Sequence, residues 1–331
     1  MTARIGIDLG GTKIQGVVLE QDGRTSAEFR HATPAHSYED TVDAVVTLAM
    51  QLDNGRGLTI GIGTPGSRLP DSGLMQNCNS TWLNGRSLLE DLQSRLGPRV
   101  RIANDADCFA LSEASEGGSA SGHRVVFGII LGTGVGGGVV IDGHLLSGRN
   151  GLTGEWGHTP LPYFRSTIEE RAFASRLCYC GRLNCIETFL SGAGLVRTYS
   201  EMWPGAGAPA SAEAICAQAD ASGDWWWPYS AASTARKPPN PARQALALYC
   251  RMLARSLAQV VNLLDPHAVV IGGGLSNERG LYEPVRRWMP AYVFGSRCET
   301  EVLAPRWGDA SGVRGAAWLW DPQEGYSGVA C

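Results

Sequence analysis

The chain has 331 residues, of which 44% are hydrophobic and 18% are charged, and its formal net charge is −4. This length and composition predict a globular protein of two domains, and the negative charge gives no electrostatic reason to expect nucleic acid or an anionic membrane as a partner. Asp8 interrupts the first apolar stretch and so argues against a signal-peptide core, which leads us to expect a cytoplasmic protein.

The first predicted element is a strand that runs into a glycine turn. Ile5, Ile7 and Leu9 alternate with small or polar residues, which is the period of a strand. The turn Gly10–Lys13 and a second strand over Ile14–Glu20 follow. Glycine lets backbone N–H groups approach a ligand closely, so the turn suits phosphate oxygens, although it lacks the Walker A spacing. An ordinary tight hairpin turn is the alternative.

The next segment mixes regular elements with a polar loop. Apolar spacing predicts a helix over Tyr38–Leu52 and a buried strand over Leu58–Ile62, which leads into Gly63–Gly66. Short polar side chains fill Gln76–Gly85, a composition typical of a surface loop.

A possible ligand-binding junction follows. A strand over Val100–Ala103 precedes Asn104 and Asp105, and a helix is predicted from Cys108 to Ala114. An aspartate at such a junction is commonly an N-cap. The carboxyl end of a strand is also where α/β sheets present residues to ligands.

A second strand–glycine–strand segment resembles the first one. The strand Phe127–Leu131 leads into the glycines of 132–138, and a strand over Val139–Ile141 follows. Two such hairpins could hold a polyphosphate from opposite sides. The dinucleotide-binding glycine pattern also fits here, but the following strand argues against a nicotinamide enzyme. A third glycine cluster, Gly272–Gly274, follows the strand Ala268–Ile271.

One imidazole and three thiols suggest a metal site. His158, Cys178, Cys180 and Cys185 would supply the four N/S ligands of a closed, structural zinc site. A redox-active cysteine pair and buried cysteines acting as small hydrophobes are the alternatives. Four such ligands complete the coordination, so the flanking carboxylates Glu155 and Glu187 would be free to face another ligand.

The last third of the chain begins with an irregular insertion over Trp203–Pro241. Its three adjacent tryptophans, Trp225–Trp227, could cover a cleft or merely patch the surface. A helix is predicted over Ala242–Leu264, ended by Asp265 and Pro266. A short apolar helix is predicted to run through Trp320.

These motifs together resemble the ROK family of bacterial sugar kinases and sugar-responsive repressors. They occur in the family's order over nearly the whole chain except the insertion. The segments that carry the resemblance are Asp8–Lys13, Gly63–Gly66, Asn104–Asp105, Leu131–Gly136, Glu155–His158, Cys178–Glu187 and Gly272–Gly274.

The resemblance implies an α/β protein with the actin-like ATPase (ribonuclease H-like) fold, in which two α/β domains flank a nucleotide cleft. The first domain would comprise residues 1–117 and a C-terminal helix at about 309–331, and the second residues 118–308. It also implies ATP and Mg²⁺ as cofactors beside the structural zinc, a hexose as the substrate, and a homodimer.

The resemblance also assigns roles to individual residues. Asp8 would steer Mg²⁺ through water, and Asp105 would be the general base. Phosphate-binding positions would be Gly10, Gly11, Thr12, Lys13, Gly132, Thr133, Gly134, Gly136 and Gly137, with Gly272, Gly273 and Gly274 near the adenosine. Sugar-binding positions would be Gly66, Asn79, Asn104, Asp105, Glu155, His158 and Glu187. Asp107 departs from the family pattern, which often has asparagine there.

Within the family, Asn77–Gly85 and Gly308–Trp320 favour the fructokinase branch, so the sequence predicts phosphorylation of D-fructose to fructose 6-phosphate. An N-acetylhexosamine kinase or a glucokinase is the alternative, and Trp82 is a plausible obstruction to an N-acetyl group. A sugar-sensing repressor is disfavoured because only Met1–Arg4 precede the first hairpin. A filament or chaperone ATPase would need neither the zinc site nor the Glu155 and Glu187 pair.

Overall fold

The computed structural model describes residues 3–205, 207, 209–220, 240–295 and 297–321. Trp225–Trp227, whose role the sequence left open, lie outside the described residues. Within the described part the chain forms two compact units. The first comprises 3–128, 138–154 and 305–321, and the second comprises the described parts of 129–137 and 155–304.

The strands form two five-stranded sheets and one short hairpin, β5–β6. The sheets have the orders β3-β2-β1-β4-β7 and β10-β9-β8-β11-β12. The strands are β1 (Arg4–Leu9), β2 (Lys13–Leu19), β3 (Thr25–Ala32), β4 (Thr59–Thr64), β5 (Ser67–Arg68), β6 (Met75–Gln76), β7 (Val100–Asn104), β8 (Val125–Leu131), β9 (Val135–Ile141), β10 (His144–Leu145), β11 (Ala268–Gly272) and β12 (Glu301–Leu303).

Ten α-helices are described. They are α1 (Tyr38–Asp53), α2 (Leu88–Leu96), α3 (Asp105–Ala114), α4 (Ile168–Arg171), α5 (Glu187–Leu190), α6 (Gly192–Met202), α7 (Ala212–Asp220), α8 (Pro241–Leu264), α9 (Tyr282–Trp288) and α10 (Ser311–Ala317). No helix in the described ranges is both long and apolar enough to cross a membrane.

The two long helices follow the predicted spacing. α1 begins where Ser37 accepts the Asp40 N–H, and it ends at Asn54 in the left-handed conformation. α8 is capped by Asn240 and ends at Leu264, where Asp265 adopts the left-handed conformation just before Pro266, so the helix stops at the predicted place.

In the first unit, α10 packs directly on the backbone of β1 and β4. This close packing is possible because the residues at the contact are glycines, which have no side chain to hold the helix away from the strands. A Cβ atom at Gly6 would lie 2.0 Å from the Val313 carbonyl oxygen, and one at Gly61 only 1.7 Å from that of Ala316. Gly315 lies on α10 itself, and a Cβ atom there would lie 1.6 Å from the Cys108 carbonyl oxygen. A side chain at any of the three positions would displace the helix.

A buried carboxylate fixes the chain just before α10. Glu113 has no solvent exposure and accepts hydrogen bonds from Arg306 N (2.9 Å), Trp307 N (3.2 Å) and Ser311 Oγ (2.7 Å). A buried carboxylate is tolerated only when it is hydrogen-bonded in this way.

The C-terminal helix is shorter than the sequence predicts, because α10 ends at Ala317.

Three further elements differ from the sequence prediction. α3 begins at Asp105 and not Cys108, because Asn104 provides the cap. β9 begins at Val135, so Gly136 and Gly137 lie in a strand and not in the turn. The insertion over Trp203–Pro241, expected to be irregular, contains the helix α7 over Ala212–Asp220.

Candidate active site

In the first unit, the carboxyl ends of three neighbouring strands meet at one edge of the sheet. β1 is parallel to β4 and β4 to β7, with Asp8 paired to Gly63 and Thr64 paired to Asn104. Because these strands are parallel, Asp8 and the Asn104–Asp105 junction share this edge. This is where α/β sheets place their ligand-binding residues.

Asp8 lies in an environment that disfavours its charge. Burial and, secondarily, the charge of Asp105 raise the pKa of the Asp8 carboxyl from 3.8 to about 6, while Lys13 opposes the rise. A Cβ atom at Gly312 of α10 would lie 3.7 Å from Asp8 Cγ, so the carboxylate lies against the start of that helix.

Asp105 is the first residue of α3. The Ala106 N–H lies within hydrogen-bond distance of both Asn104 Oδ1 (2.9 Å) and Asp105 Oδ1 (2.8 Å). Solvent reaches Asp105, yet the surrounding protein atoms desolvate its carboxylate and raise its pKa, against the lowering effect of the hydrogen bonds. Asn104 also donates to the Gly66 carbonyl (2.9 Å), which ties two predicted sugar-binding positions together.

The first glycine turn is a closed hairpin loop. The Gly10 N–H donates to the Lys13 carbonyl (3.0 Å), and Thr33 Oγ1 donates to the Gly10 carbonyl (2.6 Å). A Cβ atom at Gly11 would lie 3.7 Å from Ser80 Oγ, so the loop that carries the exposed Asn79 lies beside this turn.

The second glycine turn, in the second unit, contacts Glu187. The Gly132 N–H donates to the Gly134 carbonyl (3.0 Å), and the Val135 N–H donates to Glu187 Oε2 (3.0 Å). A Cβ atom at Gly134 would lie 2.7 Å from that oxygen, so a side chain there would push the Glu187 carboxylate out of its present position. Glu187 therefore supports the turn with one oxygen and is not wholly free for a sugar.

The third glycine cluster adjoins the second turn. Gly273 has φ +80, and a Cβ atom there would lie 2.4 Å from the Leu131 carbonyl oxygen at the end of β8. A residue with a side chain would be strained at this φ and would clash with β8. The close approach brings the Gly272–Gly274 segment next to the glycine turn that follows Leu131.

The four predicted metal ligands come together in the second unit. His158, Cys178, Cys180 and Cys185 each offer one ligand atom, and these atoms all lie within 4.8 Å of one another. Cys178 Sγ is 3.5 Å from His158 Nδ1, and the Sγ atoms of Cys180 and Cys185 are 3.6 Å apart.

These distances fit a tetrahedral zinc ion, whose N and S ligands at roughly 2.0–2.3 Å lie about 3.5–3.8 Å from one another. All the cysteines in the described residues are free, so the three thiols of the cluster are available as ligands. Cys178 and Cys185 are buried while Cys180 is exposed, so the cluster lies at the surface.

The second nitrogen of His158 has a partner that the sequence did not predict. His158 Nε2 lies 2.9 Å from the Tyr179 hydroxyl, and the two rings meet edge to face. Burial, followed by the charges of Glu187 and Glu155, raises the pKa of Tyr179 to about 12, so its hydroxyl keeps its proton at neutral pH. A sugar that contacts Nε2 would have to share it with Tyr179.

Arg176 is a further residue that the sequence analysis missed. It has no solvent exposure, and its guanidinium donates to the Thr188 carbonyl (2.7 Å) and to Glu201 (2.9 Å). Its backbone exchanges hydrogen bonds with Asn184, which closes the loop that bears the cysteines. A single arginine with no motif around it gives no signal of this role.

The sequence model of the ROK family matches residues 4–323. The chain belongs to the ROK family. A relative named N-acetyl-D-glucosamine kinase from Pasteurella multocida (strain Pm70) is 36% identical over 320 residues, which is 96% of this chain and 98% of that protein.

Solved structures of ROK proteins support the same family assignment. The ROK hexokinase from Thermus thermophilus superposes with a TM-score of 0.77 at 26% identity, over 96% of this chain and 97% of that one. A ROK glucokinase from Streptomyces griseus, in complex with glucose and AMPPNP, gives a TM-score of 0.70 at 29% identity, over 96% and 98%. These matches confirm the actin-like ATPase fold.

This ROK protein is thus an ATP-dependent sugar kinase, and the predicted enzyme class is confirmed at that level. Four points stay predictions: the identity of its sugar, its metal ions, the roles of the individual site residues and the homodimer.

Proposed function

We propose that the chain phosphorylates the 6-hydroxyl of a free N-acetylhexosamine, with N-acetyl-D-glucosamine as the preferred substrate. The observation that carries the proposal is the full-length relative of that name at 36% identity. It favours the alternative considered in the sequence analysis over fructose, which rested on the local resemblance of Asn77–Gly85.

Trp82 is engaged by other residues of the first unit, which supports a site that can accept an acetamido group. Its indole Nε1 donates to Thr41 Oγ1 on α1 (3.1 Å), and its ring meets the His36 ring edge to face at 5.5 Å. The first unit also contains a cavity of about 410 Å³ whose walls include Ser67 and Asn104. Of the proposed sugar-binding residues its wall contains Asn104 alone, so the cavity by itself does not decide between sugars.

Asp105 is the proposed general base. It would accept the proton of the sugar 6-hydroxyl while that oxygen bonds to the γ-phosphorus, and the bond to the β–γ bridging oxygen would break to release ADP. A raised pKa supports this role, because a base works best when its pKa approaches the working pH. Asp8 would steer Mg²⁺ through water, and the two glycine turns would hold the phosphates.

The proposed sugar contacts divide into two groups. Gly66, Asn79 and Asn104 would bind sugar hydroxyls from the first unit, as the resemblance implies. Glu155 and Glu187 would do so from the second unit, with Glu187 using its Oε1. Carboxylates and amides suit a neutral sugar and offer no cation for a substrate that is already phosphorylated.

Zinc is the proposed metal at His158, Cys178, Cys180 and Cys185. Four N/S ligands leave no open position, so zinc would stabilise the cysteine loop and take no part in the reaction. Elemental analysis should find one zinc per chain, and Cys180→Ser should lower both the zinc content and the folded yield. Full activity in protein with far less than one zinc per chain would contradict the proposal.

A coupled ADP-release assay tests the substrate. N-Acetylglucosamine and glucose differ only in the 2-acetamido group, so their ratio of kcat/KM isolates its contribution, and fructose and N-acetylmannosamine complete the panel. We expect the highest kcat/KM for N-acetylglucosamine. A clearly higher value for fructose would overturn the choice of sugar and leave the kinase assignment intact.

Two matched variants test the base in the same assay. Asp105→Asn should lower kcat by about 10²–10⁴ with little change in ATP binding. Asp107→Asn, two residues away in the same helix, should retain most of the activity. The reverse result would assign the base to Asp107.

A further inference from the structure

The first unit contains a second cavity, of about 170 Å³, in which no predicted site residue takes part. Arg4, at the start of β1, and Arg314, on α10, form part of its wall together with Trp307 and Trp318. A single water occupies only roughly 10–15 Å³ of such cavity volume, so the cavity can hold a molecule larger than one water.

The two arginines of this cavity are more than nine-tenths buried, with 5% exposure for Arg4 and 6% for Arg314. Each guanidinium stacks on an indole, Arg4 at 4.0 Å from the Trp318 ring and Arg314 at 3.8 Å from the Trp307 ring. Stacking covers the faces of the guanidinium groups and leaves only their edges for hydrogen bonds.

The protein itself supplies acceptors for few of the N–H donors on those edges. In the described part of the chain, Arg4 makes one hydrogen bond, from Nη1 to the Trp320 carbonyl (3.1 Å). Arg314 donates to the Gly23 carbonyl (2.8 Å) and, at 3.4 Å, to Thr25 Oγ1. Among the residues that the structure describes, neither Nε atom has a hydrogen-bond partner, although both are buried.

The positive charges of both arginines are compensated only at a distance. Within the described ranges neither arginine forms an ion pair within 4.0 Å. Burial lowers the pKa of both guanidinium groups, that of Arg4 to about 10, while Asp321 opposes the effect at Arg4 and Glu113 at Arg314. Two buried cations beside an open cavity leave a place for a counter-anion.

The carboxylates of the cavity wall do not supply that anion. Asp22 is bound to Arg24 at 2.7 Å, and Glu116 is exposed to solvent. Glu113, near Arg314, already accepts four hydrogen bonds, from Ser119, Arg306, Trp307 and Ser311.

We propose that this cavity binds a small oxyanion of the phosphate class, either inorganic phosphate or the phosphate group of a monoester. Guanidinium edges match the oxygens of phosphate, and two of them around one cavity fit such a ligand better than a neutral molecule. The site is separate from the proposed reaction. It reaches the active-site edge through α10, since Arg314 lies on the helix whose Gly312 adjoins Asp8.

Isothermal titration calorimetry with inorganic phosphate, and separately with glycerol 3-phosphate, tests the site. The protein should first be saturated with Mg²⁺, AMPPNP and the sugar, so that the glycine turns cannot contribute phosphate binding. We expect saturable binding of one anion per chain, and the tighter of the two ligands identifies the source of the phosphate group.

Three variants test the assignment of the site. Arg4→Met and Arg314→Met should each weaken binding at least about tenfold, as expected for the loss of a charge-assisted hydrogen bond. Arg101→Met is the matched control, because Arg101 also stacks on an indole (3.9 Å from the Trp320 ring) and donates to a carbonyl, but lies outside this cavity. It should bind phosphate like the parent protein.

A variant on the exposed rim keeps the test valid if the buried substitutions prevent folding. Glu116→Arg should tighten phosphate binding about twofold or more, because it replaces a repelling charge at the cavity wall by an attracting one. No saturable binding to the parent protein, equal binding by the Arg4 and Arg314 variants, or unchanged affinity in Glu116→Arg would overturn the proposal.

Discussion

The ionised carboxylate of Asp8 should make the ligand-free protein less stable at neutral pH. Its pKa in the folded chain is about 6, against 3.8 for the ordinary group, mainly because burial desolvates it and secondarily because Asp105 lies near. A folded-state pKa above the unfolded one means that folding favours the protonated form. The destabilisation therefore begins as pH rises through 3.8 and is complete above 6.

The size of this effect follows from the pKa shift. A rise of about two units corresponds to roughly 3 kcal/mol of unfolding free energy, at about 1.4 kcal/mol per unit. Partial solvent screening makes this an upper limit. Asp8→Asn keeps the shape and removes the charge, so it should stabilise the first unit by about 1–3 kcal/mol at pH 7 and by almost nothing near pH 3.5.

Hydrogen exchange of the β1 and β4 amides, measured without Mg²⁺ and nucleotide from pH 4 to 8, gives the opening free energy of the first unit alone. Asp71→Asn, at an exposed loop position, controls for the loss of one negative charge. The gain from Asp8→Asn should grow between pH 4 and 6 and then level off. A loss of stability at pH 7, or a difference independent of pH, would refute the reasoning.

Three further predictions concern packing and the metal loop. Glu170→Gln should lower the unfolding free energy by about 3–5 kcal/mol in calorimetry, because it strands the buried Arg255 guanidinium, now 2.7 Å from the Glu170 carboxylate; a loss below 1 kcal/mol would contradict this. Tyr179→Phe should lower the KM for sugar more than it changes kcat, since it removes the hydroxyl that shares His158 Nε2 with the sugar, and an unchanged KM would show that the sugar does not use Nε2. Gly61→Ala should give mostly insoluble protein on expression, because its Cβ would lie 1.7 Å from an α10 carbonyl oxygen; a soluble protein with the parent's melting temperature would disprove the clash.

Features fixed by local pattern could be predicted from the sequence. The apolar period of α1 and the caps at Ser37 and Asn240 determine where the two long helices run. The spacing of His158 and the three cysteines identified a cluster that the fold does assemble. Such features depend on residues that are near in sequence or chemically distinctive, which is why periodicity and spacing detect them.

Features that depend on distant contacts could not be predicted. Gly138 reads as part of a glycine turn, yet it lies in β9, where a Cβ atom would come within 2.9 Å of Asp107 Oδ1. The buried Arg176 and Glu113 likewise owe their roles to partners far along the chain. No local pattern marks a residue whose environment is made by another segment.

Glu187 illustrates why a correct motif can still leave a role open. The sequence treats it as a carboxylate left over from the metal count, free for a sugar. In the fold its Oε2 accepts the Val135 N–H of the second glycine turn, and its Oε1 lies 3.9 Å from Cys178 Sγ. One side chain thus connects the cysteine loop with the turn proposed to hold phosphate. A change in that loop would alter the position of Glu187, and through it the backbone N–H groups of the turn, without any contact to ATP. The carboxylate is therefore a support for the glycine turn through Oε2, and only its Oε1 is left for the proposed contact with the sugar.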